Sequence, residues 1–497
     1  MQGQLVRRPR RPRRHGLGVA SALVLSALAL QGCEWPERAR QPPDIILIMV
    51  DTLRADYVGS YGFDGEVSPA VDRLASESIV YDNAVAPSPW TKPSIASLFT
   101  SLDPITHRVV DHQRRFWRQV AASEKTDALA EGAWTLAEAL GELGYETAAW
   151  VANPWIDKPE WGFNQGFDHF HERRDKNADQ MIREIRGWLE ERAESPTGER
   201  PLFLYLHFMD VHGPYQSTAE LLERFSRSES LGDDRILTPS ERKAIGYLGD
   251  RTPWRASEKG RHLKSWRAAY AGGVRLFDDR LGPFIDWLRS SERLERSVLV
   301  FTSDHGEDLL EHGRWHHGYS PTLFQHSIKI PLMIRLPGEK GRGRRDDRMT
   351  GLLDVMPTLL HLAGRRDVPP ELEGSVLLDS EGRGSAEATA WAFSGAVADN
   401  PRAFSIQDRD FKLIWEFPQG PMKLYDLRND PGERVNLASG EPWPGPASSS
   451  RREVEHTMAR TLAERIQRLR ARPSLLKTQK PLDPDTLEKL KDLGYVQ

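Results

Sequence analysis

Five short apolar runs along the chain give the first indication of its architecture. Each is rich in Val, Ile, Leu or Phe and shows no regular alternation with polar residues. Such runs are typical of strands that are buried on both faces, as in parallel sheets. They cover residues 44–50, 148–152, 202–207, 297–302 and 331–335. Helical patterns at 135–144, 178–194 and 264–289 lie between several of them, so we predict an α/β fold with a large, mostly parallel sheet flanked by helices.

The pattern changes near residue 366, where short strand-like segments with tight turns replace the alternation of strand and helix. These segments predict a smaller C-terminal antiparallel α+β subdomain over 366–446, followed by a helical tail over 447–497. The main domain is then expected over 44–365. Within it, residues 216–259 are charged and short of apolar periodicity, which indicates a surface insertion and a candidate lid.

The first 33 residues differ in composition from the rest. Six arginines between positions 7 and 14 precede an uncharged, Ala- and Leu-rich stretch at 16–30 that is too short for a comfortable transmembrane helix. The stretch ends in Leu30-Gln31-Gly32-Cys33, which resembles the bacterial lipobox, whose cysteine is lipidated. We therefore expect a lipoprotein signal peptide over 1–33, a polar tether over 34–43, and export to the periplasmic or cell-surface side of a bacterial membrane. An uncleaved anchor helix with an incidental cysteine is the alternative.

Composition and charge exclude several classes of protein. Apolar residues make up 39% and charged residues 28%, so wholesale disorder and a polytopic membrane protein are both excluded. The formal net charge is −4, whereas nucleic-acid-binding proteins are usually basic, so no nucleic-acid partner is expected. Because Cys33 is the single cysteine, an intrachain disulfide and a cysteine zinc cluster are also excluded.

Acidic and histidine residues follow three of the predicted strands, at the sheet edge where open α/β sheets bind ligands. They are Asp51 after the first run, His207, Asp210 and His212 at the third, and Asp304 and His305 after the fourth. Carboxylate oxygens and imidazole nitrogens together suit a divalent cation. One Asp after a strand is more often a turn or cap residue. The segment 303–317 is harder to explain in that way, because four of the fifteen histidines fall within thirteen of its residues.

A nucleophile is predicted in segment 88–101, whose pattern is that of a loop running into a helix. Thr91 is placed near the N-cap and Pro93 in the first turn, where the missing N–H costs little. A helix N-terminus favours a bound anion, and a hydroxyl beside a divalent cation can be deprotonated to attack phosphorus or sulfur. The alternative, that Thr91 only caps the helix, stays open on spacing alone.

Several separated motifs, taken in order, resemble those of the sulfatase family of the alkaline-phosphatase-like superfamily. They are Ile48-Met-Val-Asp-Thr-Leu-Arg-Ala-Asp56 with Gly59-Ser-Tyr-Gly62, Thr91-Lys-Pro-Ser-Ile-Ala-Ser-Leu-Phe-Thr100, His207-Phe-Met-Asp-Val-His-Gly-Pro-Tyr215, Phe301-Thr-Ser-Asp-His-Gly-Glu307, Asp354-Val-Met-Pro-Thr358, and Leu424-Tyr-Asp-Leu-Arg-Asn-Asp-Pro431 with Glu433 and Asn436-Leu437. The resemblance runs from about Asp44 to the C-terminus. It implies an alkaline-phosphatase-like fold, a catalytic domain over 44–365 and an anionic ester as substrate.

The resemblance also implies roles for individual residues. The family carries a divalent cation, usually Ca²⁺, although Mn²⁺ or Zn²⁺ would suit the same donors. The expected ligands are Asp51, Thr91, Asp304 and His305. His212 matches a histidine that contacts the anionic substrate, and His317 takes the place of a cationic residue near the leaving group. Thr91, His212 and His317 are therefore the expected catalytic residues.

The departures from the family pattern bear on the chemistry. The family signature is Cys or Ser followed by x-Pro-x-Arg, and its first residue is oxidised to formylglycine; here these positions hold Thr91 and Ile95. The β-methyl of threonine would give a ketone instead. The family's Gly-Lys-x-His stretch reads Val151-Ala-Asn-Pro154, without its cations. Thr91 is similar to the threonine nucleophiles of related phosphodiesterases, phosphomutases and phosphoethanolamine transferases.

The expected function is thus metal-dependent hydrolysis of a sulfate or phosphate (di)ester, with Thr91 attacking in line. Two alternatives stay open. One is a phosphoethanolamine-type phosphotransferase that uses the same threonine. The other is a catalytically inactive sulfatase-like binding lipoprotein, which the lost cations favour.

Overall fold

The computed structural model describes most of the chain from residue 42 onwards. The described ranges are 42–110, 125–246, 258–317, 323–338, 340–367, 369–385, 390–396, 403–439, 450–475, 478–481, 483–486 and 488. The predicted signal peptide with Cys33, and all but the end of the predicted tether, lie outside the described residues. Among those residues, no helix combines the length and apolar character needed to cross a membrane.

The secondary structure alternates between strand and helix as far as residue 362. The strands are β1 Asp44–Val50, β2 Ile79–Val85, β3 Lys125–Ala128, β4 Glu146–Val151, β5 His169–Glu172, β6 Leu202–Phe208, β7 Ser297–Thr302, β8 Leu332–Arg335, β9 Arg345–Gly351, β10 Ala392–Ala396, β11 Ala403–Gln407, β12 Phe411–Glu416, β13 Met422–Asp426 and β14 Thr478–Pro481. The helices are α1 Pro69–Ser76, α2 Thr91–Thr100, α3 Pro104–His107, α4 Leu136–Glu142, α5 Ala178–Ala193, α6 Ala219–Ser226, α7 Pro239–Gly246, α8 Leu263–Ser290, α9 Gln325–Ile328, α10 Val355–Leu362 and α11 Arg451–Ala471.

Eight of the described strands form one large sheet, in the order β5-β4-β6-β1-β7-β8-β2-β9. The central strand β1 runs parallel to both β6 and β7, and β4 runs parallel to β5 and β6. The prediction of a large, mostly parallel sheet flanked by helices is confirmed. β8 is an exception, because it is antiparallel to both β7 and β2. Parallel neighbours need a long crossover connection, usually a helix, and the described part of the β7–β8 connection contains only the four-residue α9.

The sheet separates two apolar cores. Alternate side chains of a strand point to opposite faces, so Ile45, Leu47 and Met49 of β1 pack with α2, α4 and α10, while Ile46 and Ile48 pack with α1, α5 and α8. Since both faces of β1 are buried, its sequence reads as a continuous apolar run.

The described residues 216–246 of the charged segment contain more regular structure than their sequence pattern predicts. Helix α6 lies against the long helix α8 and buries Leu222 and Phe225, which are three residues apart and share one helix face. Leu231 and Leu237 extend the same apolar contact. The described part of this insertion is therefore packed onto the main domain, and its few apolar residues are too widely spaced to give a periodic pattern.

The smaller C-terminal subdomain has the predicted antiparallel α+β architecture. Strands β10 to β13 pair in sequence order, each antiparallel to the next. Helix α11 covers this sheet with Met458, Leu462, Ile466 and Leu469, and the first three join its apolar cluster. The predicted helical tail also contains a strand, because β14 returns to pair antiparallel with β3 of the main domain.

Candidate active site

Three neighbouring strands deliver side chains to the same edge of the sheet. β6, β1 and β7 lie side by side, and His207, Asp51 and Asp304 are at or just beyond their carboxyl ends. One ligand atom from each of Asp51, Asp304 and His305 lies within 4.8 Å of the other two, and all three residues are buried. Because adjacent parallel strands are about 4.8 Å apart, strand order alone brings these groups together.

The Asp51 carboxylate is held by two hydrogen bonds to one of its oxygens. Oδ2 accepts from Asn153 Nδ2 at 2.6 Å and from His207 Nε2 at 3.1 Å. The Tyr205 hydroxyl lies 2.8 Å from His207 Nδ1 and orients the ring. Burial by itself raises the pKa of Asp51, but the His207 hydrogen bond and the nearby histidines outweigh it and hold that pKa well below the usual range. Asp51 is therefore an ionised, buried carboxylate.

Asp304 is held by the backbone. Its Oδ1 accepts from the backbone N–H of Thr52 at 3.1 Å and of His305 at 2.9 Å. Burial, followed by the negative charge of Asp51, raises the pKa of Asp304. The other oxygens, Asp51 Oδ1 and Asp304 Oδ2, are buried and have no hydrogen-bond partner within the described part of the chain. Two buried carboxylates that repel each other, each with an oxygen unused, form a site that favours a cation.

Thr91 lies beside this pair as the first residue of α2. Trp90 is the N-cap, and the helix start has no side-chain cap hydrogen bond, so Thr91 does not cap the helix. Its buried hydroxyl lies 3.3 Å from His305 Nε2 and 3.5 Å from Asn153 Nδ2. His305 Nδ1 contacts the Gly306 carbonyl at 2.7 Å, which leaves Nε2 facing the site. The hydroxyl and the three predicted cation ligands thus meet in one place.

Two more predicted residues, His212 and His317, form a second group together with His316. One ring nitrogen from each of the three lies within 4.8 Å of the other two. Burial lowers the pKa of His212 to about 4, and burial also lowers the pKa of His317. Burial thus opposes a positive charge on either imidazole, while the Glu307 carboxylate favours one on both. The ring centres of His305 and His317 are only 4.4 Å apart.

Two residues that contribute to the site, Asn153 and Glu307, were not identified from the sequence as functional. Asn153 follows β4, which neighbours β6, so its position just after an apolar run was an available signal. Glu307, inside the motif after β7, contacts His317 Nδ1 at 3.0 Å and accepts from the Tyr215 hydroxyl at 3.0 Å. Its importance depends on contacts between distant segments, which no local pattern shows.

Other polar residues near the motifs have structural roles. Asp210 accepts from the backbone N–H of Ala178 and pairs with Arg280, and His207 supports Asp51, so neither joins the three predicted cation ligands. Lys92 is fully buried, and its ammonium group donates to the Asp127 carbonyl at 2.6 Å and to the Thr126 hydroxyl.

Comparisons with known proteins identify the family and the fold. The Sulfatase family model matches residues 43–365, and a model described as N-sulphoglucosamine sulphohydrolase, C-terminal, matches 311–465. An arylsulfatase of Clostridium perfringens is 23% identical over 81% of this chain and 91% of its own length. An N-acetylglucosamine-6-O-sulfatase of Bacteroides thetaiotaomicron is 24% identical over 84% and 86%. Among solved structures, a phosphonate monoester hydrolase of Agrobacterium radiobacter superposes with a TM-score of 0.63, at 22% identity over 88% of this chain and 97% of that chain.

Proposed function

Because this chain belongs to the sulfatase family of hydrolases, we propose that it cleaves an anionic sulfate or phosphate ester with Thr91 as the nucleophile. The observation that carries the proposal is the position of the Thr91 hydroxyl. It lies 3.3 Å from His305 Nε2, and His305 clusters with the buried carboxylates of Asp51 and Asp304. Asn153 Nδ2 lies 3.5 Å from the same hydroxyl and 2.6 Å from Asp51 Oδ2, so it links Thr91 to Asp51.

The residues present fit the divalent cation that the family generally uses. We propose that Asp51, Thr91, Asp304 and His305 hold it, since Asp51 Oδ1 and Asp304 Oδ2 are buried acceptors without a hydrogen-bond partner in the described part of the chain. Two carboxylates, a hydroxyl and an imidazole suit Ca²⁺, Mn²⁺ or Zn²⁺. Such an ion supplies positive charge that lowers the pKa of a hydroxyl and stabilises charge developing on the ester oxygens.

The chain's own groups then account for a two-step reaction. The deprotonated Thr91 oxygen, which Asn153 Nδ2 faces at 3.5 Å, attacks phosphorus or sulfur, and the bond to the alcohol breaks. The alcohol leaves with one proton, equivalent to the one that Thr91 lost. Water then cleaves the threonine ester and restores the hydroxyl; it releases sulfate from a sulfate ester, phosphate from a phosphate monoester, and a phosphate monoester from a diester. His212 and His317 face the transferring group and meet its oxygens.

The identity of residue 91 favours phosphorus over sulfur. A formylglycine needs a β-carbon without a methyl group, so the route that expels sulfate from a hemiacetal is closed to Thr91. A sulfothreonine ester is hard to cleave, whereas a phosphothreonine intermediate is readily hydrolysed in a metal site. The phosphonate monoester hydrolase neighbour shows that this fold also accommodates phosphorus substrates. We therefore propose a phosphate monoester or diester as the preferred substrate.

The test is hydrolysis by the purified protein loaded with Mn²⁺, Ca²⁺ or Zn²⁺, using an aryl phosphodiester and an aryl sulfate in parallel. Turnover is expected with at least the phosphodiester, and acid quenching should reveal phosphothreonine at position 91 by mass spectrometry. Unchanged turnover in Thr91→Ala would refute the nucleophile. A preparation that stays inert after metal reconstitution would favour an inactive binding protein, and transfer of a lipid headgroup instead of hydrolysis would favour a phosphotransferase.

We also propose that the protein is exported and anchored to a bacterial membrane through a lipid on Cys33. The support is the sequence alone, namely the basic start, the short apolar stretch and the position of the single cysteine. Fractionation of cells expressing the full chain should place it with membranes, and Cys33→Ser should abolish labelling by a fatty-acid probe. Equal labelling of both proteins would contradict the anchor.

A further inference from the structure

Two cationic positions of the family pattern hold apolar residues in this chain. The family resemblance places an arginine at position 95 and a lysine at position 152, where this chain has Ile95 and Ala152, both buried. The ammonium group of Lys92 is directed to Thr126 and Asp127 and lies over the ring of Trp161 at 5.0 Å. A transferring phosphoryl or sulfuryl group carries negative charge that grows in the transition state, so a second cation beside the first would compensate for the missing arginine and lysine.

We propose that His212, His316 and His317 bind a second divalent cation, which supplies this charge. All three side chains are buried, and one nitrogen from each lies within 4.8 Å of the other two. They come from two separate segments, the loop after β6 and the loop after β7, so their convergence is produced by the fold. Three imidazoles are donors that favour a borderline ion such as Zn²⁺ over Ca²⁺.

The surroundings of His212 and His317 resemble those of metal ligands. A ligating histidine usually gives its second ring nitrogen to a backbone carbonyl or a carboxylate, which fixes the ring. His212 Nδ1 contacts the Gly213 carbonyl at 2.6 Å, the same arrangement that His305 makes with Gly306 in the first site. The Glu307 carboxylate lies 3.0 Å from His317 Nδ1, whereas His316 Nδ1 accepts from the backbone N–H of His317 at 2.9 Å.

The two cation sites adjoin each other. His305 of the first site and His317 of the second have ring centres 4.4 Å apart. Paired cations of this kind stabilise both the attacking and the leaving oxygen of an in-line displacement. This proposal rests on the proposed function. His212 and His317 then act on the ester oxygens through the bound ion and not by direct contact.

Metal stoichiometry tests this proposal without reference to turnover. The full chain is stripped with a chelator, reloaded with Zn²⁺, desalted and analysed by inductively coupled plasma mass spectrometry. We expect two zinc ions per chain in the wild type, one in His316→Gln and one in Asp304→Asn. His361→Gln, which removes a histidine outside both groups, should retain two. Reloading with Ca²⁺ should give one ion per chain, because only the carboxylate site suits it.

Each contrary result has a separate meaning. One zinc ion in the wild type, retained by His316→Gln and lost in Asp304→Asn, would overturn the second site and leave the proposed function intact. One zinc ion retained by Asp304→Asn and lost in His316→Gln would support the histidine site and contradict the proposed catalytic one. Thermal melting followed by circular dichroism identifies any variant that fails to fold. Anomalous diffraction from wild-type crystals at the zinc edge should show a peak against His212, His316 and His317, and its absence would overturn the assignment without any variant.

Discussion

Replacement of Thr91 by valine separates the chemistry of its hydroxyl from its role in packing. Valine has nearly the same shape, so the buried start of α2 stays packed, and the change removes only the oxygen. That oxygen makes two long hydrogen bonds, to His305 Nε2 at 3.3 Å and to Asn153 Nδ2 at 3.5 Å. Together these hydrogen bonds are worth about 1 kcal/mol of folding free energy. The melting temperature of Thr91→Val should therefore fall by less than about 4 °C.

The effect on catalysis should be far larger. Loss of a nucleophile lowers kcat by at least about 10⁴-fold, which corresponds to about 5.4 kcal/mol of transition-state stabilisation. The matched control is Thr91→Ser, which keeps the hydroxyl and removes one buried methyl group at a cost of about 0.8 kcal/mol. Its kcat should stay within about tenfold of the wild type.

The assay is release of nitrophenolate from bis(p-nitrophenyl) phosphate by metal-loaded protein, with a melting curve for each variant. Metal content should be measured at the same time, because Thr91 is also a proposed ligand. If Thr91→Val retains more than a tenth of the wild-type kcat, Thr91 is not the nucleophile, whatever its position beside the carboxylates.

Three further predictions concern a residue beside the site, the bound metal, and a buried ion pair of the C-terminal subdomain. Asn153→Leu removes the 2.6 Å hydrogen bond to Asp51 and should weaken metal binding by about 10- to 100-fold in a competition titration, whereas unchanged affinity would make Asn153 a bystander. Chelation should abolish turnover and lower the melting temperature, because the buried carboxylates of Asp51 and Asp304 then repel each other. A metal added at 100 times its Kd should raise the free energy of unfolding again by about 2.7 kcal/mol. A melting curve that does not respond to the chelator would contradict this prediction. Glu433→Gln removes the carboxylate that lies 2.8 Å from the fully buried ammonium group of Lys412. The free energy of unfolding measured in urea should fall by about 3 kcal/mol. A fall below about 1 kcal/mol would show that water reaches the pair.

The local elements of the fold could be predicted because burial is reflected in the local pattern of residues. β1 and β7 have the predicted bounds, and helix α8 differs from its predicted range by one residue at each end. β13 was not recognised, since its Met-Lys-Leu-Tyr-Asp sequence alternates weakly between apolar and polar positions. The pattern could not predict that β8 is antiparallel to its neighbours, because periodicity indicates which residues are buried and not which way a strand runs.

The sequence by itself determined that carboxylates and histidines follow buried strands, that a hydroxyl begins a helix, and that the family's usual cations are missing. The tertiary structure alone decided that β1 lies between β6 and β7, that Asn153 reaches Asp51 from β4, and that His212 meets His316 and His317. The reason is physical. The polarity of a position depends on its own side chain and near neighbours, whereas strand order and loop convergence depend on how distant helices pack over the whole sheet.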